Sequence, residues 1–385
     1  MFVQKTLLKL SKVLQLRKIY IPKVIVINLW DIVNKVNNMQ NTQQWFDYIL
    51  NSQWVVLGNN TLIQPQRNSD GTWILGDIIT NDQEILTARP LTNLQDIKEF
   101  QLVHQSWKVA IFKKYKPIIY FCAFGKDAIF ECVYTSIQSL IEFGIWQHEI
   151  VVFTAENTKE YLQDKLSSLG LGNKLHMITI LPATDTLDWV MARYRINHPI
   201  LQQAQPLFYM DTDIICNAPL DDFFIKLIDS PLIHACQEGL IGEGSPQSGG
   251  YWYGWRLMQE DNVPFNTQNR GFSAGALFFN NVESVLPFFE MILQSTYGFM
   301  DKQGYRDEFY DQRFTNYILF KFKKIEIISM SKLLNLYRIP PETTLIPNGN
   351  QTLGLVHFLN APTENKLITM KKYVDMLRLR ANKQS

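Results

Sequence analysis

The sequence predicts an α/β protein, in which a mainly parallel sheet is flanked by helices and preceded by a small accessory region. Two observations predict this class. From Lys116 onward, short apolar runs of strand type alternate with stretches of helical spacing, and strands joined by crossover helices form parallel sheets. Of the 385 residues, 46% are hydrophobic and 13% aromatic, which is ample material for a core.

The predicted elements follow one another at short intervals. A buried strand over residues 117–124 leads into a helix that Asp127 caps and Gly144 ends. The next elements are a strand at Glu149–Thr154, a helix that ends near Gly170, a strand over 176–181, a helix from 187 to about 203 and a strand that ends at Asp211. This alternation predicts nucleotide binding at the carboxyl ends of the strands.

Three regions are expected along the chain. Residues 1–108 begin with a basic amphipathic stretch and continue with short apolar runs between turns, which predicts an N-terminal accessory region with β-structure and an unknown role. Residues 109–360 form the main domain. Residues 361–385 form a basic C-terminal tail.

The charge of the chain excludes one class of partner and suggests another. The 37 basic and 36 acidic residues leave a net charge of +1, which argues against nucleic-acid binding by bulk electrostatics. Basic residues are concentrated at both ends, so peripheral contact with an anionic membrane surface is one expectation and an ordinary solvated helix is the other.

The sequence shows no apolar run of about 20 residues and no secretory signal, so we expect a cytoplasmic protein, with peripheral contact to the inner membrane face as the alternative. The 4 cysteines have no C-x-x-C spacing and are predicted to be reduced core residues.

Two carboxylates, Asp211 and Asp213, follow the apolar run 207–210 where a buried strand is predicted to end. That is the edge of an open α/β sheet at which ligands bind. Side chains two residues apart on an extended backbone point the same way, so both carboxylates can hold one divalent ion, Mn²⁺ or Mg²⁺. A solvated acidic turn is the alternative.

The order of motifs resembles a known family over residues 116–360. Ala192-Arg-Tyr-Arg-Ile196, the Asp-Thr-Asp segment, Gly271-Phe-Ser-Ala-Gly275 and Asp311-Gln312 are similar to the motifs of A-type-fold (GT-A) nucleotide-sugar glycosyltransferases. The closest group is the retaining one of glycogenin and the bacterial lipopolysaccharide galactosyl- and glucosyltransferases. The resemblance implies a Rossmann-like fold, a UDP-sugar donor and retention of anomeric configuration.

The resemblance also implies a set of site residues. The donor would contact Ala123, Phe124, Arg195, Asp211, Thr212, Asp213, Ser273, Ala274, Gly275 and Lys366; the metal ligands would be Asp211, Asp213 and His357; and the catalytic residues would be Asp311 and Gln312. The chain departs from the family at three positions. Ser273 replaces an asparagine, Arg313 replaces a frequent second aspartate, and Thr363 stands where a lysine is usual, so that Lys366 is the nearest substitute.

Structural explanations compete for three of these residues. Arg195 is explained as well by a surface ion pair, Asp311 by a helix N-cap and His357 by a place beside an apolar strand. A metal ion held by Asp211, Asp213 and His357 would neutralise the leaving diphosphate, while Asp311 and the Gln312 amide stabilise the cationic sugar.

The sequence therefore predicts a hexosyltransferase-type enzyme that transfers a sugar to a saccharide, lipid or protein acceptor. Two other classes stay open. A glycoside hydrolase needs carboxylates about 5–9 Å apart across a bond, and Asp211 and Asp213 are too close in sequence for that without a distant partner. A non-catalytic nucleotide-sugar or saccharide-binding subunit of a glycan assembly system is consistent with Ser273 and with the missing lysine.

Overall fold

The structure is a computed structural model. It describes residues 54–57, 62–63, 66–67, 69, 73–75, 78–80, 85–89, 109–228, 230–243, 252–303, 311–340 and 354–384. The chain divides into two compact units, Met1–Tyr115 and Lys116–Ser385.

The first unit contains two small sheets in its described part. Its strands are Trp54–Leu57 (β1), Leu62–Ile63 (β2), Gln66–Arg67 (β3), Trp73–Leu75 (β4), Ile78–Thr80 (β5), Ile85–Arg89 (β6) and Val109–Lys114 (β7). The sheet orders are β2-β1-β7-β6 and β3-β4-β5. Because β7 pairs with β1 and β6, the unit ends at residue 115 rather than at the predicted 108. The amphipathic start lies outside the described residues.

The second unit alternates strands and helices. Its strands are Ile118–Cys122 (β8), Glu149–Thr154 (β9), Leu175–Thr179 (β10), Leu207–Met210 (β11), Ile214–Cys216 (β12), Ile233–Leu240 (β13), Arg270–Phe279 (β14), Ile325–Glu326 (β15), Leu334–Arg338 (β16) and Leu355–Leu359 (β17). Its α-helices are Asp127–Glu142 (α1), Glu156–Ser167 (α2), Thr186–Met191 (α3), Pro199–Gln202 (α4), Asp221–Leu227 (α5), Trp255–Glu260 (α6), Val282–Gln303 (α7), Gln312–Lys321 (α8) and Thr363–Gln384 (α9). Short 3₁₀-helices lie at Gly172–Lys174, Ala192–Tyr194 and Met330–Lys332.

A seven-stranded sheet forms the centre of this unit, in the order β10-β9-β8-β11-β14-β13-β15. Its first four strands run parallel to one another, and β13 is parallel to β15. Only β14 runs against the rest of this sheet, since it pairs antiparallel with both β11 and β13. The predicted α/β class with a mainly parallel sheet is therefore confirmed. A second sheet, β12-β17-β16, lies beside it.

The continuous apolar runs of the sequence form the central strands of the seven-stranded sheet. Strands β8, β9 and β11 are buried along almost their whole length, as expected for parallel strands covered on both faces. Helix α1 buries Phe130, Val133, Ile137 and Leu140, the positions whose spacing predicts the helix. Its N-cap position is Lys126, however, and Asp127 is the first helical residue, so the predicted aspartate cap is wrong by one position.

The predicted helix over 187–203 is broken into α3, a 3₁₀ turn and α4. Pro199 is the cause, since it has no backbone N–H to donate and it disfavours helical geometry in the residue before it. The chain leaves helical conformation at Arg195, whose φ and ψ are −86° and 53°, and α4 starts again at Pro199. Arg193 lies in the 3₁₀ turn and Arg195 directly after it.

The basic C-terminal residues belong to an ordered helix. Helix α9 buries Met370, Tyr373 and Val374 in a core shared with β12 and β17. Its Lys371 pairs with Glu131 at 2.8 Å, and its Arg378 pairs with Glu142 at 2.8 Å. Part of the tail's charge is therefore neutralised within the unit, and membrane contact stays a prediction.

Two further observations concern the chain as a whole. Among the described residues, no helix combines the length and apolar character needed to cross a membrane. All four cysteines are free, and Cys132, Cys216 and Cys236 are buried.

Candidate active site

The Asp-Thr-Asp segment lies at the carboxyl end of β11, as the sequence predicts. The backbone N–H of Asp211 donates to the carbonyl oxygen of Gly275 on β14 at 2.8 Å, and the carbonyl oxygen of Asp213 accepts from Phe358 N–H at 3.0 Å. Thr212 and Asp213 form a turn rather than an extended strand. The two carboxylates therefore converge because neighbouring strands hold the turn, and not because of strand alternation.

His357 joins the two carboxylates from β17. This strand pairs antiparallel with β12, and His357 lies opposite Ile214, the residue after Asp213. The Nε2 atom of His357 is 3.1 Å from Asp213 Oδ1 and 3.7 Å from Asp211 Oδ2. One ligand atom from each of the three residues lies within 4.8 Å of the others, the only such group in the described part of the chain.

The surroundings of this cluster fit a divalent ion. Two carboxylates and an imidazole suit Mn²⁺, and the carboxylates also suit Mg²⁺. Gly275 gives them room, since a Cβ atom at this position would lie 2.5 Å from Asp211 Oδ2 and 2.5 Å from His357 Cε1. The predicted Gly275 thus belongs to the site as a residue without a side chain. Ser273 is buried, and its Oγ accepts from the N–H of Gly275 at 3.4 Å.

A lysine completes the charge pattern. Lys366 on α9 places Nζ 2.7 Å from Asp213 Oδ2. Burial alone would raise the pKa of Asp213, but the charges of Lys366 and His357 lower it by more, so that the pKa lies below its ordinary value. Burial lowers the pKa of Lys366, and Asp213 raises it above its ordinary value. Asp213 is therefore ionised and Lys366 is charged at neutral pH.

The same balance acts on His357. Burial lowers its pKa, whereas the charges of Asp213 and Asp211 raise it, and the net pKa lies above 6.5. The Nδ1 atom is buried and forms no hydrogen bond with any described residue. Without a metal, the imidazole thus keeps its proton to a higher pH than an ordinary histidine, with Nε2 facing the carboxylates.

The arginine at the site is Arg193 and not the predicted Arg195. The NH2 atom of Arg193 is 3.4 Å from Asp211 Oδ1, its Nε is 3.6 Å from Asp311 Oδ2, and its NH1 donates to the Ala274 carbonyl oxygen at 2.9 Å. Arg195 instead donates to Tyr297 Oη at 3.0 Å, on the other side of the 3₁₀ turn. Arg193 lies within the 3₁₀ turn, whereas Arg195 follows it at the C-cap position, where the chain leaves helical conformation.

The predicted catalytic pair lies at the start of α8. Asp311 occupies the N-cap position, but its side chain makes no capping hydrogen bond, so the cap explanation does not account for its carboxylate. The Oδ2 atom accepts from Tyr194 Oη at 2.6 Å. Gln312 accepts from the Ala274 N–H at 3.4 Å and donates through Nε2 to Glu238 Oε2 at 3.2 Å.

Glu238 is a site carboxylate that the sequence did not reveal. It lies on β13, and its pKa is raised by burial against the opposing effects of His357 and Arg338. The sequence separates Glu238 from Gln312 by 74 positions, and no local motif marks it. The antiparallel pairing of β13 with β14 brings it to the site.

A cavity of about 200 Å³ opens beside the cluster. Five of the predicted residues line it, namely Phe124, Asp211, Thr212, Asp213 and Lys366. Ala123 does not, since it is fully buried and both of its backbone polar groups bond to β9 residues. Trp189 and Thr186 of α3 also line the cavity, together with Cys122, Ile129, Cys132, Val190, Arg193, Tyr209 and Thr363.

Comparison with known proteins gives structural likeness only. No protein-family model matches the chain, and no curated protein matches it. The bifunctional glycosyltransferase WbbM is 11% identical with a TM-score of 0.46, over 71% of this chain and 56% of that one. The chain thus spans little more than half of WbbM.

Two more solved structures are similar. Galactosyltransferase LgtC, in complex with donor and acceptor sugar analogues, is 12% identical with a TM-score of 0.43, over 68% of this chain and 95% of that one. Mouse xyloside xylosyltransferase 1 is 13% identical with a TM-score of 0.39, over 58% of this chain and 87% of that one. All three are glycosyltransferases, the class that the motifs predict. At these identities and TM-scores the likeness carries no argument about activity, and the function proposed below rests on the site.

Proposed function

We propose that the chain is a metal-dependent glycosyltransferase. It takes a sugar from a nucleoside-diphosphate sugar, with a UDP-sugar as the first candidate, and transfers it to a saccharide, lipid or protein acceptor with retention of configuration. One observation carries the proposal: Asp211, Asp213 and His357 converge beside a cavity at the carboxyl ends of parallel strands, with Lys366 next to them.

The Asp-Asp-His cluster and the residues that line the cavity would bind different parts of the donor. Asp211, Asp213 and His357 would hold Mn²⁺ or Mg²⁺, which supplies Lewis-acid neutralisation of a leaving diphosphate. Lys366 lines the cavity with a charged amine, which adds a donor for a phosphate oxygen. Phe124 and Trp189 line the same cavity and offer apolar surface to a base or ribose.

The residues behind the cavity suit the sugar. Loss of the diphosphate leaves positive charge at the anomeric carbon, and a fixed carboxylate stabilises such charge. Asp311 is a buried carboxylate, and the buried guanidinium of Arg193 lies between it and Asp211. The Gln312 amide is fixed at both ends by Ala274 and Glu238. These contacts support a role for Asp311 and Gln312 beside the transferred sugar.

Release of nucleoside diphosphate from a panel of nucleotide sugars tests this function. We expect release with one or a few donors in Mn²⁺, none in EDTA, and a large loss in Asp311→Asn. The matched control is Asp261→Asn, because Asp261 is an exposed aspartate that pairs with Lys321. Nucleotide binding without turnover would instead identify a binding subunit, and sugar release from a nucleotide-free oligosaccharide would identify a hydrolase.

A further inference from the structure

The carboxylate of Asp311 is held asymmetrically. Its Oδ2 atom accepts a hydrogen bond from Tyr194 Oη at 2.6 Å and lies 3.6 Å from the Nε atom of Arg193. Among the described residues, none forms a hydrogen bond or ion pair with Oδ1. Within the described part of the chain, the protein therefore fixes the carboxylate through Oδ2.

The hydroxyl of Tyr194 is a neutral hydrogen-bond donor. It is completely buried, and burial together with the charge of Asp311 raises its pKa well above the ordinary value. Thr315 Oγ1 lies 2.6 Å from the same hydroxyl and is 2.9 Å from the backbone oxygen of Asp311. A carboxylate oxygen accepts, so the tyrosine proton is used on Asp311 Oδ2, and the single proton of Thr315 can go either to Tyr194 Oη or to the backbone oxygen of Asp311.

The ring of Tyr194 cannot easily move away. It contacts Phe289 of α7 edge-on, with ring centroids 5.1 Å apart, inside the main hydrophobic core. Tyr194 closes the 3₁₀ turn that carries Arg193, so both groups that hold Oδ2 come from one short segment. The position of the carboxylate therefore depends on the core contacts of Tyr194 as well as on the start of α8.

We propose that Tyr194 is a positioning residue, whose hydroxyl fixes the Asp311 carboxylate for the transfer reaction. The proposal rests on the proposed function of the site. It assigns Tyr194 no contact with substrate, and its effect on the reaction passes through Asp311 alone.

The Tyr194→Phe variant tests this role, because it removes one oxygen atom and keeps the ring. We expect kcat to fall about 10–100-fold, since small misplacements of a catalytic group are costly, with donor KM and Mn²⁺ affinity changed less than about twofold. Tyr373→Phe is the matched control, as Tyr373 is equally buried and its hydroxyl accepts from Asn217 Nδ2 at 2.9 Å rather than donating to Asp311. Its kcat should equal that of the wild type.

A double-mutant cycle separates positioning from general destabilisation. In the Asp311→Asn background, Tyr194→Phe should cost little more, because the group it acts on is already altered. Losses that multiply in the double variant would overturn the proposal, and so would an unchanged kcat in Tyr194→Phe.

A measurement without turnover keeps this test apart from that of the proposed function. In protein labelled with ¹³C at tyrosine Cζ, the Tyr194 signal, assigned by its loss in Tyr194→Phe, should move in Asp311→Asn, while that of Tyr373 should not. A wild type without donor turnover would contradict the proposed function, whereas an unmoved Tyr194 signal would overturn the contact itself.

Discussion

Replacing Gly275 by alanine should damage the metal cluster without damaging the fold. The added Cβ would lie 2.5 Å from Asp211 Oδ2 and 2.5 Å from His357 Cε1, whereas ordinary contact begins at 3.4 Å. Both atoms are at the ends of side chains, so the clash is relieved when these side chains move by about 0.9 Å. The two side chains that must move, Asp211 and His357, are two of the three proposed metal ligands.

The expected loss follows from the tolerance of metal sites. Ligand distances in such sites hold to within about 0.2 Å, so a displacement several times larger cannot preserve the geometry. We expect Mn²⁺ affinity to fall by about 10–100-fold or more, which corresponds to about 1.4–2.8 kcal/mol. The free energy of unfolding should fall by no more than about 1–3 kcal/mol, the usual cost of one extra methyl group in a packed region.

Calorimetric titration with Mn²⁺ measures the first quantity, and urea unfolding of the metal-free protein measures the second. Gly298→Ala is the control, because a Cβ at that position in α7 meets nothing within 4 Å. Its Mn²⁺ affinity should be that of the wild type. An unchanged affinity in Gly275→Ala would refute the view that Asp211 and His357 act together on one ion.

Three further predictions concern the same cluster. His357→Ala should lose Mn²⁺ affinity with little change in melting temperature, and a large fall in melting temperature with unaltered binding would make the histidine structural. Lys366→Met should destabilise the metal-free protein at pH 7 by about 1–3 kcal/mol in urea unfolding, because it removes a cation from a carboxylate that is only 13% exposed; equal stability would contradict the ion pair with Asp213. The pKa of His357 is raised above 6.5, so its charge stabilises the metal-free protein below that pH and the contribution is lost as the pH rises through the folded-state pKa. Mn²⁺ must displace this proton, and its affinity should therefore increase from pH 6 to pH 8 in calorimetry with proton release; a flat profile would exclude His357 as a ligand.

Features carried by local patterns could be predicted from the sequence. The strands β8, β9 and β11 are uninterrupted apolar runs, and Asp211 and Asp213 follow the last of them directly. Only the resemblance of motifs singles out His357 in the sequence, and the pairing of β17 with β12 brings it beside Asp213.

Features that depend on tertiary context could not be predicted. Arg193 and Arg195 are two positions apart in one motif, and a 3₁₀ turn followed by Pro199 directs Arg193 and not Arg195 to the carboxylates. Glu238 reaches Gln312 across 74 positions, and Tyr194 reaches Asp311 across 117. Contacts of this kind are made by the register of β13 and β14 and by the packing of α8, for which a single sequence carries no local signal.

The most direct test of the metal-assisted donor site is calorimetric titration with UDP. We expect wild-type protein to bind UDP in Mn²⁺, EDTA to abolish this binding, and Asp213→Asn to weaken it in Mn²⁺, because an amide cannot replace the charge of a carboxylate beside a cation. Equal UDP affinity with and without the chelator, or an Asp213→Asn variant that binds like the wild type, would contradict a metal-assisted donor site.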